Sequence, residues 1–263
     1  MQPILQIDAF ADKPYTGNPA GVCILEKPGD EKWMQNVAME MNLAETAFLC
    51  PIAGGWNLRW FTPAVEVDLC GHATIAATHA LLETDRLRAD ETARYQTKSG
   101  WLGAWKDGDW INLDFPATPA RPVDAPLGLI EALGAKPQAA GIARSKFDYF
   151  VELESETAVR ELKPDFAKLA KVESRGVIVT ARSDDPAFDF VSRFFGPNVG
   201  VDEDPATGSS HCALGPWWKD RLKRDAMIGR QLSRRGGVIR VVVKGDRVHL
   251  GGKAVTVLRG ELM

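Results

Sequence analysis

The chain has 263 residues, 45% hydrophobic and 25% charged, with a net charge of −3 and a pI near 5.9. That length is near the upper limit for one hydrophobic core, so division into domains is expected. The acidic balance argues against nucleic acid or an anionic membrane as partner, and no apolar run reaches the roughly 18 residues of a membrane span.

The first residues, MQPILQIDAFADKP, lack the basic start and long apolar stretch of a signal peptide, so a cytoplasmic protein is expected. ILQIDAF (4–10) reads as a strand. EKWMQNVAMEM (31–41) places Trp33, Met34, Val37, Ala38 and Met41 at helical spacing and predicts an amphipathic helix. LAETAFL (43–49) and GVIVTA (176–181) are apolar runs of strand length. WFTPAVEVDL (60–69) alternates as a strand does. HATIAATHALLETDRL (72–87) predicts a helix starting just after Gly71, and SSHCALGPWWKDRL (209–222) one starting just after Gly208, kinked or shortened by Pro216. GVIRVVVKGDRVHLGG (237–252) predicts a hairpin turning at Lys244-Gly245-Asp246. The order of elements is α+β.

The chain also repeats itself. RWFTPAVEVD (59–68) and RFFGPNVGVD (193–202) agree at six of ten positions, at an offset of 134 (193 − 59). Thr46-Ala47 recurs as Thr180-Ala181 at the same offset, which pairs Glu45 with Val179. Cys70-Gly71 pairs with Thr207-Gly208, and Gly108 with Gly245, at 137 (208 − 71). A single step of three predicts one insertion between Asp202 and Gly208. Two similar halves follow, 1–118 and 119–263, with a terminal strand able to cross into the other half. Their junction falls between residues 115 and 145, where DFPATPARPVDAPLG (114–128) reads as a linker.

Both halves run strand, glycine turn, helix. A helix start carries unpaired N–H groups and a positive dipole end, and so favours a carboxylate or oxyanion. Asp68 and Asp202 occur in both copies and read as turn residues. The unshared residues mark added chemistry. Glu45 lies among Leu43, Ala44, Ala47 and Phe48, where poor hydration should raise its pKa toward that of an acid/base catalyst; solvent exposure or pairing with an arginine is the plain alternative. His72 can shuttle protons or merely face solvent at the helix start. Asp204 can serve a substrate or a turn. Cys23, Cys50, Cys70 and Cys212 include no C-x-x-C pair and no zinc-ligand spacing with a histidine, so no metal is expected and the thiols should be free. The basic stretch 219–235 is interleaved with Asp and apolar residues and reads as a solvated face.

DAFADKPYTGNPAGVCIL (8–25), MNLAETAFL (41–49), RWFTPAVEVDLCGHAT (59–74), GVDEDPATGSS (200–210) and GGKAVTVLRGEL (251–262) together resemble the PhzF family, the phenazine-biosynthesis-like isomerases. The resemblance implies a diaminopimelate-epimerase-like fold: two pseudo-symmetric α+β domains, each with strands wrapped round a central helix, and an active site in the cleft between them. It implies an isomerase without cofactor, acting on a small anionic substrate, and a homodimer. Glu45 matches the family's proton-moving glutamate. His72 and Asp204 match its further catalytic positions, and Asn18, Gly71, Gly208 and Ser209 its substrate-binding ones. Cys70 matches one of the two cysteine bases of the epimerase relatives, but Thr207 stands at the other, so Cys70 is expected to be structural. Two departures stand out. Ala44 replaces the serine of an LSET motif, and His211 with Trp217-Trp218 is expected to reshape the pocket. A racemase or epimerase of amino or hydroxy acids, and a non-catalytic binder on the same fold, are the alternatives.

Overall fold

A computed structural model describes residues 1–135 and 141–263. Residues 136–140, within the stretch read as the junction, lie outside the described residues. In chain order the elements are β1 (Gln2–Ala9), β2 (Asn18–Ile24), α1 (Glu31–Met41), β3 (Glu45–Ile52), β4 (Gly55–Phe61), β5 (Glu66–Val67), α2 (Gly71–Glu83), β6 (Thr92–Thr97), β7 (Gly100–Asp107) and β8 (Trp110–Pro116). They continue with β9 (Arg121–Pro122), α3 (Leu129–Leu133), β10 (Gly141–Arg144), β11 (Asp148–Glu152), α4 (Glu156–Glu161), α5 (Phe166–Leu169), β12 (Gly176–Arg182), β13 (Phe190–Phe195), α6 (Gly208–Leu222), β14 (Ala226–Gln231), β15 (Gly237–Lys244), β16 (Arg247–Gly252) and β17 (Ala254–Leu262). No helix among them is long and apolar enough to cross a membrane.

The chain divides into two units, Met1–Asp114 with Leu250–Met263, and Phe115–His249. In the first, β1 pairs antiparallel with β17 and β2, β2 parallel with β3, β3 antiparallel with β4, β4 parallel with β6, and β6 antiparallel with β7. The second repeats this succession with β9, β10, β11, β12, β13, β14 and β15. The C-terminal strand thus completes the N-terminal unit.

Each unit is organised round one helix. Along α2, Ala73, Ile75, Ala76, Ala77, Ala80 and Leu81 are fully buried, the pattern of a helix enclosed on every side. Thr74 and Thr78 sit in that apolar surround by donating their hydroxyls to the carbonyls of Cys70 and Thr74. In α6, Gly215 is required by contact: a Cβ there would stand 2.8 Å from Val241 Cγ1. α1 is peripheral. Asp30 caps it by accepting from the Trp33 N–H, and Met34, Val37 and Ala38 face inward, as the spacing predicts.

Pro216 does not shorten α6, which runs unbroken from Gly208 to Leu222. Proline lacks the N–H that would bond the carbonyl four residues earlier. That carbonyl, on Cys212, accepts instead from the Thr118 N–H at 3.0 Å.

Strand register corrects the internal alignment. Arg59 pairs with Phe48 across β4/β3, and Arg193 with Val179 across β13/β12. Val179 is therefore the counterpart of Phe48. The same loop bond confirms it: Leu25 N–H donates to Leu49, and Leu153 N–H to Thr180, an offset of 131 (180 − 49). On that register Gly176, not Val179, stands opposite Glu45 in the duplication. The insertion also moves. Arg59 grips Glu66 at 2.6 Å and Arg193 grips Glu203 at 2.7 Å, so Glu203 is the counterpart of Glu66 at 137 (203 − 66). The extra residues lie before Glu203, in the turn at Pro197–Val199, and not between Asp202 and Gly208. The agreement of Val65, Val67 and Asp68 with Val199, Val201 and Asp202 is coincidental, and several short length changes replace the single step.

Candidate active site

Glu45 is the first residue of β3, His72 the second of α2, and Cys70 precedes that helix in extended conformation. Because β3 begins where α2 begins, their three side chains meet. His72 Nε2 lies 3.1 Å from Glu45 Oε2, and Cys70 Sγ 3.5 Å from His72 Nδ1. Asn18, buried at the start of β2, places Nδ2 3.3 Å from the same Nδ1. Gly71 supplies the first residue of α2 between Cys70 and His72. Four of the residues singled out in the first half are therefore gathered at one point: Asn18, Glu45, Gly71 and His72. Cys70, expected to be structural, joins them.

The electrostatics differ from expectation. Burial by itself raises the Glu45 pKa, as poor hydration predicts, but the His72 charge and hydrogen bonds from His72 and Cys70 outweigh it and leave it lowered. Burial disfavours charge on His72, yet the Cys70 sulfur and Glu45 carboxylate hold its pKa well above 6.5. Burial and the Glu45 charge push the Cys70 thiol upward. The resting cluster is carboxylate, imidazolium and thiol. The 3.1 Å contact between Glu45 Oε2 and His72 Nε2 is a buried ion pair. Glu45, Cys70 and His72 each place one ligand-type atom within 4.8 Å of the others. Spacing along the chain did not reveal this set, because one member comes from a separate strand.

The second unit gathers Asp204, Gly208 and Ser209 round the start of α6. Thr207 Oγ1 donates to Asp204 Oδ2. Gln231, fully buried, accepts from the Thr207 N–H at 2.9 Å and donates to the Asp204 carbonyl at 2.7 Å. Arg175 clamps buried Asp148 through two nitrogens and donates to Ser209 Oγ at 3.2 Å. Burial outweighs that clamp and leaves the Asp148 pKa raised. Neither Gln231 nor Arg175 stood out in the sequence. Gln231 sits inside the basic stretch, and the partners of Arg175 are 27 and 34 residues away.

His211, Trp217 and Trp218 are core residues rather than pocket-shaping ones. His211 Nδ1 donates to the Thr207 carbonyl at 2.8 Å, and burial pushes its pKa down to about 4, so the ring is neutral. Trp218 stacks on Phe190 and donates to Thr180 Oγ1, while Trp217 donates to Glu152. In the basic stretch Lys219 pairs with Asp225, Arg221 with Glu152 and Arg224 with Asp189.

The profile of phenazine biosynthesis-like proteins, PhzC-PhzF, matches residues 7–260. The chain belongs to this family. An uncharacterized isomerase of Halalkalibacterium halodurans is 49% identical, the match covering 99% of this chain and 98% of that protein. Another, of Pseudomonas aeruginosa, is 46% identical over 98% of both. The crystal structure of a PhzF-family phenazine biosynthesis protein from Enterococcus faecalis superposes with a TM-score of 0.94 at 40% identity, covering 100% of this chain and 99% of that one. The fold is thus the PhzF form of the diaminopimelate-epimerase-like architecture, α+β with two pseudo-symmetric domains.

Proposed function

We propose that the protein is a cofactor-independent isomerase of the PhzF type, moving a proton between carbons of a small carboxylate-bearing substrate. The observation that carries this reading is the Glu45 carboxylate, buried beside His72 at 3.1 Å at the start of α2. Membership in the family and two close relatives named as isomerases support it.

Glu45 breaks a C–H bond made acidic by an adjacent carbonyl or carboxylate, and its oxygen takes the proton. The electron pair delocalises into the substrate, and the same carboxyl then returns the proton to another carbon. Only protons move, so the step needs no oxidant or reductant. His72 holds the resting base as carboxylate. A substrate oxygen that draws the imidazolium away removes the contact keeping the Glu45 pKa low, and burial then makes the carboxylate a stronger base. Helix N–H groups at Gly71 favour substrate carboxylate oxygens. Gly208 and Ser209 offer the same kind of helix start in the second unit, and Asp204 assists there as an acid/base or orienting group.

The grouping of Glu45 and Cys70 within 4.8 Å favours transfer on one face of the substrate. Inversion of a stereocentre needs an acid and a base on opposite faces, and Thr207, the counterpart of Cys70, is not a thiol. The test is proton NMR in D2O with a panel of small unsaturated and amino carboxylates. Wild type should introduce deuterium at a substrate carbon, and Glu45→Gln, folded by circular dichroism, should not. Retained exchange in the variant would remove Glu45 from the mechanism.

A further inference from the structure

The guanidinium of Arg175 is fixed more firmly than an ion pair needs. Nε and Nη2 donate to the two carboxylate oxygens of Asp148 at 2.8 and 2.5 Å, a bidentate fork. Phe147 and Phe194 lie against its central carbon, with ring centres 5.1 and 5.5 Å away. The backbone is held as well, the Arg175 N–H donating to the Phe147 carbonyl at 3.2 Å. Asp148 is 1% exposed and gives up its hydration to this arrangement. A buried ion pair is a poor source of stability, since well-packed apolar residues of similar volume serve as well. What this one supplies is direction: it leaves Nη1 at a set place, 3.2 Å from Ser209 Oγ.

That direction fixes the hydrogen of Ser209. A guanidinium donates and cannot accept, so the Ser209 oxygen is the acceptor and its own proton points elsewhere. In the same turn Ser210 returns its hydroxyl to the Thr207 carbonyl at 2.8 Å. Ser209 does not, and no acceptor for its proton stands among the described residues. It is half-buried at the second position of α6, after Gly208. A serine hydroxyl ordinarily donates or accepts as its neighbour demands. Held by Arg175, it offers an incoming group its proton.

We propose that Arg175 is a positioning residue for substrate recognition: it holds the Ser209 hydroxyl as a donor and thereby selects a substrate that presents an anionic oxygen, a carboxylate rather than its amide, to the start of α6. The proposal deepens the function given above and rests on it for Ser209 as a substrate contact. Asp148 holds Arg175, Arg175 holds Ser209, and Ser209 meets the substrate. Arg175 takes no part in proton transfer, which belongs to Glu45. An amide nitrogen placed at Ser209 would set donor against donor, and one of the two would go unpaired.

The experiment is a titration of the nitrogen-15-labelled full chain with benzoate and, separately, with benzamide, read from the amide shifts of Gly208 and Ser209. Benzoate carries a carboxylate but no C–H acidic enough to transfer. Binding is therefore measured apart from proton transfer, and failure here is separate from failure of the isomerase reading. Wild type should bind benzoate about 10-fold or more tighter than benzamide, as one hydrogen bond to a charged group predicts. Arg175→Met and Ser209→Ala should each weaken benzoate by about that factor and leave benzamide within about 2-fold. Because the arginine acts through the serine, the double variant should bind benzoate no more weakly than Ser209→Ala alone. Circular dichroism establishes that each variant is folded. Where Arg175→Met is not, Asp148→Leu combined with Arg175→Met removes both charges and serves instead. Equal losses for benzoate and benzamide would reduce Arg175 to a structural role, and additive losses would make it an independent contact. Absence of benzoate shifts at Gly208 and Ser209 would remove the contact altogether. Each of these overturns the proposal. Where exchange is measurable in D2O, Arg175→Met should raise KM about 10-fold and leave kcat within about 2-fold. A fall in kcat at unchanged KM overturns the proposal as well.

Discussion

The two units place corresponding residues at corresponding points and give them opposite character. In the first, β3 opens with Glu45 against His72. In the second, the counterparts by register are Gly176 and Ser209, and the charge beside Ser209 is Arg175, which precedes β12. Thr74 bonds the carbonyl of Cys70 four residues back, and His211, its counterpart at 137 (211 − 74), bonds that of Thr207 in the same way. One scaffold therefore carries a glutamate–histidine pair at one helix start and an arginine–aspartate pair at the other. The frame shared by both consists of the Arg–Glu clamps and the buried helix; chemistry occupies the positions where the copies diverge.

Four experiments can break or sharpen this comparison. The largest effect is expected for Glu45→Gln, which should cut carbon–hydrogen exchange by about 10²- to 10⁴-fold, the usual contribution of a positioned acid/base, in the D2O assay described above. Next is Arg175→Met, which strands the carboxylate of Asp148, 1% exposed, and should cost about 3 kcal/mol of unfolding free energy in urea titrations at pH 7. That loss should shrink toward acid pH, because the raised pKa of Asp148 lets it neutralise early.

His211→Thr gives the second helix the residue of the first. The unfolded imidazole takes a proton near pH 6.5, the folded one only near 4. Between those values the unfolded state binds more protons, so stability falls as pH drops through the window, by about 3 kcal/mol in total. Denaturant unfolding at pH 4 to 7 should show that slope in wild type, and the variant should lack this component of it. The smallest effect belongs to the shared frame. A double-mutant cycle of Arg59→Ala and Glu66→Ala should give a coupling of about 1 kcal/mol, and Arg193 with Glu203 a similar value. A coupling near zero in one unit alone would mean that the Arg–Glu clamp does not hold the two halves in the same way.

Much of this organisation was legible in the sequence. Residues 31–41 announced their helix because Trp33, Met34, Val37, Ala38 and Met41 return at its period. The repeated decamer announced the duplication, and the family motifs singled out Glu45 and His72, whose side chains the structure brings within 3.1 Å of each other. The alignment of the halves was legible only in part. Short β residues repeat by chance, and nothing in the linear string separates Val67 opposite Val201 from Glu66 opposite Glu203. The Arg–Glu clamp makes that distinction, and it exists only in three dimensions. The Glu45 pKa went the other way from expectation for a related reason. Burial can be guessed from flanking leucine and alanine, but the neighbouring charge came from a helix start 27 residues away (72 − 45). Cys70 looked inert because two residues of separation conveys no contact until the helix begins between it and His72.

Pro216 leaves one more mark on the molecule. The carbonyl it frees in the middle of α6 is taken by the Thr118 N–H, so a segment rich in proline is tied by its amide to the centre of the second unit's helix. The helix is spliced to its own connecting strap at the one rung its sequence omits. Thr118 thereby becomes a natural tracer for the integrity of that rung. Its amide proton should be shielded from solvent like those of the buried core, and should be released only when strap and helix part.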